Sequence, residues 1–446
     1  MARDRSVFSY LVARIGAGIA SFFTVKFLIA FVAKADYGYL GVLTAATDML
    51  VPVLTLTLPA AMMRMYFDLD RNDHAGQSRL ITTTFHLGIA GAVVLAAGAA
   101  VAGALGLVSS TTAVYLMAAT TATVAFKFFN YLTRLRDDRW MYMFNELGDR
   151  LGFMGLLAAA SAESGTWLVK PFGGDRLLAA IAFFAGARWV VTLINIAYYA
   201  SRRVLAMAIR WLSAAELRAM VQFSAPLTVI FFLGWTLSAS DLFLLKHLST
   251  ADELSEYAFA VSIGTFVALV TQAVLTDWPR FYYEQMRDDL PDRDDRIARR
   301  VRMVLWLHVL GIVVLRAGAR SAYDLFGADA YLRGLDYLHY LVVANFFFLA
   351  GNLFGSGMGY VKKTHLSILA FAVAGGMNVG LNLWLIPRFG ALAAASTTLL
   401  ANVVFATASW WIGRRHYRFT HPAWHIAPAS AALVVGLLPL HRAFPA

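Results

Sequence analysis

The sequence predicts an all-α integral membrane protein of about 12–13 transmembrane helices. Three observations carry this: an apolar composition, a series of apolar runs long enough to cross a bilayer, and a lopsided distribution of basic residues among the connecting loops. Of 446 residues, 59% are hydrophobic and 15% are charged. A soluble domain carries roughly a quarter charged residues, so hydrocarbon is the expected solvent for most of this chain.

Runs of roughly 18 to 25 apolar residues, the length a spanning helix needs, occur at 8–33, 39–63, 80–105, 112–133, 143–162, 177–200, 220–247, 257–280, 302–319, 334–358, 366–386 and 391–412. A shorter one occurs at 425–440 and either spans or lies at the interface. The first run follows a charged terminus, and Ala33-Lys34-Ala35 mimics a signal-peptidase site. The run is too long for a signal core and contains Arg14 and Lys26, so it reads as a retained first span.

With the N-terminus placed in the cytoplasm, 24 Lys and Arg residues fall on cytoplasmic loops and 9 on the opposite side. That asymmetry follows the positive-inside rule and absorbs the net charge of +11 without nucleic acid. All loops are short. The acids of the segment 288–295 suggest either a divalent-ion site or, better, a solvated charged loop. The absence of cysteine excludes a disulfide framework, a thiolate metal site and cysteine catalysis. No phosphate-binding loop, nucleophile elbow or metal-ligand spacing is present. Trp140, Trp167, Trp211, Trp278 and Trp424 fall at span ends, as an interfacial belt does. His416, His421 and His425 cluster beside Arg414 and Arg415 and suggest an interfacial segment.

The chain also echoes itself at an offset of 220. Phe23 aligns with Phe243, Lys26 with Lys246, Asp36-Tyr37 with Glu256-Tyr257, and Pro59 with Pro279. Six spans is an even number, so two such units enter the membrane with the same orientation. The expected organisation is two six-helix bundles around a central cavity: a first lobe over 1–212, a second over 213–420, and an additional short apolar helix in 421–446.

Three stretches carry a family resemblance. Residues 33–67 read Ala-Lys-Ala-Asp-Tyr37-Gly38, a span, then Pro59-Ala-Ala-Met-Met-Arg64-Met-Tyr-Phe67. Residues 223–257 contain Pro226, Ser-Ala-Ser-Asp241 and Glu256-Tyr257. Residues 378–396 read Asn378-Val-Gly-Leu-Asn382 and then Ile-Pro387-Arg-Phe-Gly390-Ala. The ordered set resembles the Wzx-like polysaccharide flippases of the multidrug/oligosaccharidyl-lipid/polysaccharide (MOP) exporter superfamily, whose fold is MATE-like. In the third stretch Pro387 cannot continue a helix and Gly390 permits a tight reversal. Alanines 391, 393, 394 and 395 then allow close helix packing.

Charges inside a bilayer are costly and are candidates for function. The embedded cations, Arg14, Lys26, Lys127, Arg150 and Arg188, all lie in the first six spans. Arg188, Thr192, Asn195 and Tyr199 share one helix face. That polar stripe reads either as the wall of a water-filled cavity or as a structural ion pair with a neighbouring helix. Arg14 and Lys26 are about 18 Å apart along one helix, near opposite ends, where a cation either snorkels or faces a cavity. Lys127 and Arg150 favour snorkelling, and Asp149 is a local or interhelical partner for Arg150. Asp48 and Asp241 need partners or protons and are candidates for ion or proton coupling. The stripes Asn345, Asn352, Ser356 and Ser262, Thr265, Gln272, Thr276 suit sugar hydroxyls or interhelical hydrogen bonds equally.

The resemblance implies a non-enzymatic flippase in a bacterial inner membrane. It would move a polyprenyl-diphosphate-linked oligosaccharide to the outer leaflet for cell-surface polysaccharide assembly (lipopolysaccharide or exopolysaccharide) by alternating access. The diphosphate would meet Arg188, Arg14, Lys26 and Arg150, with Thr192 and Asn195 beside them. No cofactor is expected beyond an H+ or Na+ gradient. Expected partners are the lipid membrane, the glycan carrier and a polymerase or export machinery, with no nucleic acid. Two other readings stand beside this one. A MATE-like antiporter of cationic small molecules would find like charge in its path. A membrane glycosyltransferase or polymerase would need a large loop that is absent from the sequence.

Overall fold

A computed structural model of the chain describes residues 2–70, 72–205, 211–288, 291–361, 363–416 and 427–433. The described residues are helical, with no strand. The first eight helices are α1 (Ala2–Phe31), α2 (Lys34–Leu54), α3 (Leu58–Tyr66), α4 (His74–Ala104), α5 (Ser110–Tyr115), α6 (Thr121–Leu135), α7 (Arg139–Ser161) and α8 (Arg176–Ser201). Then come α9 (Ala214–Ser238), α10 (Ser240–Leu248), α11 (Ala251–Asp288), α12 (Arg293–Phe326), α13 (Gly334–Tyr360) and α14 (Thr364–His416). Among the described residues, eight helices are long and apolar enough to cross a membrane, counting α5 and α6 as one. Gly16–Phe31 of α1 is a shorter apolar segment, and α7 carries Glu146, Asp149 and Arg150 within its length. Residues 427–433 are helical, and the rest of the 425–440 run lies outside the described residues.

Three breaks were not visible as breaks in the apolar runs. The run 39–63 is two helices. Leu56 and Thr57 adopt φ of 46° and 52° between them, a strained region for a β-branched residue. Pro59 then opens α3, where its missing N–H is no loss. A π-helical turn at Leu116–Thr120 joins α5 to α6. The run 220–247 divides at Ala239 between α9 and α10.

The reversal expected near Pro387 and Gly390 holds by a geometric argument. A straight helix of the 53 residues in α14 would be about 80 Å long. Instead the Thr397 hydroxyl bonds the side chain of Asn382, which is possible only if the chain folds back between them. Gly390, at φ 60° and ψ −145°, is the reversal. A Cβ there would collide with the Glu253 carboxylate.

The chain divides into two compact units. The first contains Met1–Asp36 and Leu43–Phe232. One end of it is packed by Leu58, Met62, Leu80, Ile81, Phe85 and Phe129, with Tyr199 stacked on Phe129 at 6.2 Å. Lipid is as apolar as these side chains, so close van der Waals fit holds them together. Aspartates cap the helices that enter from loops: Asp73 accepts from Gly76 N–H (2.8 Å), Asp138 from Met141 (3.3 Å) and Asp175 from Leu178 (3.0 Å).

The second unit contains Tyr37–Val42 and Leu233–Ala446. Its core includes the edge-to-face pair Phe259–Tyr323 at 4.8 Å and Tyr37 against Tyr331 at 5.7 Å. The Tyr37 and Ser262 hydroxyls are 2.7 Å apart. Gly38 lets α2 approach the α11 backbone, because a Cβ there would lie 2.9 Å from the Ser255 Cα. Trp278 departs from the interfacial-belt expectation. It is 2% exposed and its indole N–H bonds Ser356, whereas Trp140, Trp167 and Trp211 are exposed as expected. Trp424 lies outside the described residues, as do His421 and His425.

Candidate functional site

The first unit holds a polar network inside its helices. On α7, Asn145, Glu146, Asp149 and Arg150 recur at one-turn spacing, so they share a face. The α8 stripe of Arg188, Thr192, Asn195 and Tyr199 is directed at that helix. Arg188 holds Asp149 as a fork, Nε to Oδ1 at 3.1 Å and Nη2 to Oδ2 at 3.4 Å. Its Nη1 donates to the Thr123 hydroxyl of α6. Phe184 lies beneath the guanidinium at 4.0 Å and Phe126 at 5.2 Å. Of the two alternatives for Arg188, the structure shows the interhelical ion pair: its side chain is 16% exposed and that of Asp149 is 4% exposed.

Arg150 turns inward rather than snorkelling. Its Nε donates to Ser21 Oγ of α1 at 2.6 Å, and its Nη1 reaches the Glu146 carbonyl at 3.0 Å and carboxylate at 3.3 Å. Asn130 of α6 donates to the same carboxylate at 3.1 Å. Two cations thus meet two carboxylates, the balance a low-dielectric interior requires. Arg150 remains 30% exposed and is the cation of this cluster most open to its surroundings. Further along the seam Asn195 donates to Asn145 at 2.6 Å. Thr192 Oγ1, Asn195 Oδ1 and Asn145 Nδ2 are enclosed without a hydrogen-bond partner among the described residues.

A second charged pair stands in the open. Lys127 of α6 donates to Asp48 of α2 at 3.1 Å, with side-chain exposures of 39% and 59%. An ion pair facing hydrocarbon at that depth is expensive, so this strip of the first unit suits water or a polar ligand. Tyr115 lies within electrostatic reach of both Asp48 and Arg188. Lys26 is half-buried and has no ion-pair partner among the described residues. Arg14 lies on α1, and its side chain falls outside the described residues.

The second unit holds a carboxylate of a different kind. Asp241, in the first turn of α10, is 2% exposed. It accepts from the Tyr257 hydroxyl, from Thr398 Oγ1 at 3.1 Å and from the Leu242 N–H at 3.0 Å. Every donor is neutral, and no cation pairs with it among the described residues. Asn378, Asn382 and Thr397 form a hydrogen-bonded chain on α14, anchored where Asn378 donates to the Leu237 carbonyl at 3.1 Å. The other polar stripes are mostly internal joints: Thr271 donates to Asn345 at 2.7 Å, and Asn352 bonds the Phe348 carbonyl at 2.8 Å.

Sequence reasoning missed Glu146, Thr123, Tyr257 and Thr398 as partners. The Glu146–Arg150 pair carried a legible signal in its four-residue spacing. Thr398 lies 157 positions from Asp241 and carried none.

No protein-family model matches the chain, and no curated protein matches it in a sequence search. Solved structures do match its fold. A mutant of a Vibrio cholerae MATE transporter superposes with a TM-score of 0.63 at 16% identity, covering 94% of this chain and 100% of that one. An inward-facing multidrug resistance MATE transporter of the MOP superfamily gives 0.65 at 13% identity, covering 91% and 97%. The lipid II flippase MurJ, in an inward closed conformation, gives 0.69 at 11% identity, covering 98% and 93%.

Proposed function

We propose, on the premise that the chain has the fold of MOP-superfamily transporters, that it is a flippase for a polyprenyl-diphosphate-linked oligosaccharide, carrying it from the cytoplasmic to the outer leaflet by alternating access. The observation that carries this reading is the accessibility of three cations in the helices of the first unit, Lys127, Arg150 and half-buried Lys26, whereas Arg316 of α12 in the second unit is buried. A diphosphate is a dense anion, and guanidinium forks fit its oxygens. Arg150 and Lys26 are the cations assigned to the headgroup, with Arg14 as a further candidate on α1. Arg188 acts through Asp149, which it holds in place, and is a positioning residue. Thr192 and Asn195 keep unfilled hydrogen-bonding capacity on the same seam.

Asp241 is assigned to coupling. A buried carboxylate with no cation partner among the described residues leaves its charge uncompensated, which gives a coupling ion a place to act. Asp48 is the second candidate, since its exposed pair with Lys127 can open. The N-terminus is placed in the cytoplasm, the membrane is a bacterial inner membrane, and the glycan is one destined for cell-surface polysaccharide through a polymerase or export machinery.

One observation favours a second reading. Asp48 is a span carboxylate that is 59% exposed, which suits a cationic small molecule, and a further matching structure is a MATE multidrug transporter. The test is reconstitution of the full chain in vesicles with a fluorescent polyprenyl-diphosphate oligosaccharide, scored by lectin access from outside. The flippase reading expects protein-dependent exposure. Replacing Arg150→Gln should slow it about tenfold, the scale of one charge-assisted contact. Unchanged exposure with and without protein, together with uptake of a cationic dye, overturns it in favour of the antiporter.

A further inference from the structure

Where α6 gives way to α7 and α8 ends, the first unit has a cavity of about 300 Å³ whose wall includes Arg136, Asp138, Arg139, Tyr198, Tyr199 and Arg202. Apart from Tyr199, which ends the α8 stripe, its wall shares no residue with the networks described above. Its charges divide cleanly into committed and uncommitted groups. Asp138 is fully engaged: Oδ1 caps the Met141 N–H at 3.3 Å, and Oδ2 accepts from the Tyr198 and Tyr199 hydroxyls at 2.8 and 3.4 Å. Asp137 takes Arg139 at 3.3 Å. Among the described residues, two guanidiniums are left without a carboxylate. Arg136 gives one N–H to the Tyr66 hydroxyl at 2.8 Å, and Arg202 lies over the Tyr198 ring at 4.4 Å.

The loop that carries Arg136 is built rather than loose. Backbone N–H groups of Arg136, Asp137 and Asp138 bond carbonyls of Leu132, Arg134 and Thr133 at 3.0, 3.2 and 2.8 Å, and Asp137 holds φ at 53°. The ring of Tyr198, itself tied to Asp138, sets the plane of Arg202. Two planar forks held over one hollow, with their own acids already occupied, form a receptor for a tetrahedral oxyanion. The location narrows the ligand. Both α6, joined to α5, and α8 are apolar enough to cross a membrane, and this is where they end. Trp140 stands beside the cavity at 78% exposure, as aromatic residues do at the headgroup level.

We propose that Arg136 and Arg202 form a binding site for the phosphate of an anionic phospholipid headgroup at the membrane surface, separate from any transported substrate and independent of the transport reading. Because the chain contains no cysteine, a single Val204→Cys substitution on the cavity wall accepts one environment-sensitive fluorophore. The labelled full chain, in phosphatidylcholine nanodiscs, is titrated with phosphatidylglycerol, with further phosphatidylcholine, and with soluble glycerol phosphate.

The expected result is a saturable shift with phosphatidylglycerol alone. Its midpoint should move about tenfold or more when Arg136→Gln and Arg202→Gln are combined, the scale for losing charge-assisted phosphate contacts. Arg203→Gln, adjacent in sequence but off the cavity wall, should leave the midpoint in place. Each variant's unfolding temperature is measured alongside. Arg202→Lys, which keeps the charge but loses the fork, should fall between parent and double variant and covers the case in which the double variant does not fold. Equal response to phosphatidylcholine, an unmoved midpoint in the double variant, or an equal loss in Arg203→Gln overturns the site. Equal affinity for glycerol phosphate overturns the lipid source and assigns the site to soluble phosphate esters.

Discussion

The pair Arg188–Asp149 gives the sharpest quantitative expectation. Both side chains are nearly enclosed, at 16% and 4% exposure, and three helices meet at them. Asp149→Asn leaves a guanidinium charge among Phe184, Phe126 and Thr123. Breaking a buried pair from one side costs about 3–5 kcal/mol. The neighbouring Glu146 carboxylate compensates in part, which places this variant near the lower end, about 3 kcal/mol. Arg188→Gln is milder, because Arg150 stands 4.0 Å from Asp149 and can take it over, so about 2 kcal/mol is expected. The double variant removes both charges and leaves Arg150 with Glu146. It should cost little more than the milder single, giving a coupling of about 2–3 kcal/mol. The assay is reversible unfolding in mixed micelles for parent, both singles and the double. The exposed pair Lys127–Asp48 serves as the internal contrast, since its coupling should stay below about 1 kcal/mol. If the Arg188 and Asp149 effects add to within about 0.5 kcal/mol, the ion pair does not hold these helices and the account of Arg188 as a positioning residue is wrong.

Asp241→Asn keeps the shape of the side chain and removes its charge. The parent's unfolding temperature should respond to Na+ or to pH more strongly than the variant's, whose other titratable groups still respond to pH; identical dependence in both would remove Asp241 from coupling. Gly390→Ala should destabilise by about 1–3 kcal/mol, the cost of forcing a Cβ into this backbone region, read as a lowered unfolding temperature without loss of helical circular dichroism. Gly38→Leu must push α2 away from Ser255, for about 1–3 kcal/mol by overpacking. Because the new Cβ would meet the Ser255 Cα and N at 2.9 Å as well as its hydroxyl, removing that hydroxyl by Ser255→Ala should give at most partial relief, and full rescue would show that the backbone approach is not made there.

Much of the fold was legible in the sequence because spanning a bilayer is a local demand. Each helix satisfies its own backbone polar groups and must present enough apolar length, so run length alone located α1, α4, α6, α7, α8, α12 and α13. The reversal at Pro387–Gly390 was legible for the same reason, since one residue cannot continue a helix and another can take a positive φ. The breaks at Leu56–Thr57 and Ala239 were not legible, because the residues there are as apolar as their neighbours and tertiary packing selects their backbone angles.

The site divides along the same line. Sequence alone showed which charges fall within apolar runs, since any charge stands out against an apolar background, but it did not single out Arg316, which is buried in α12. It could not establish which of them are spent on each other. Arg188 meets Asp149 across 39 positions and Thr123 across 65. Lys127 meets Asp48 across 79, and Asp241 meets Thr398 across 157. An arginine free to hold a phosphate and one locked to a carboxylate have the same sequence context. Their difference is a matter of a few ångströms between helices, and only packing sets that distance.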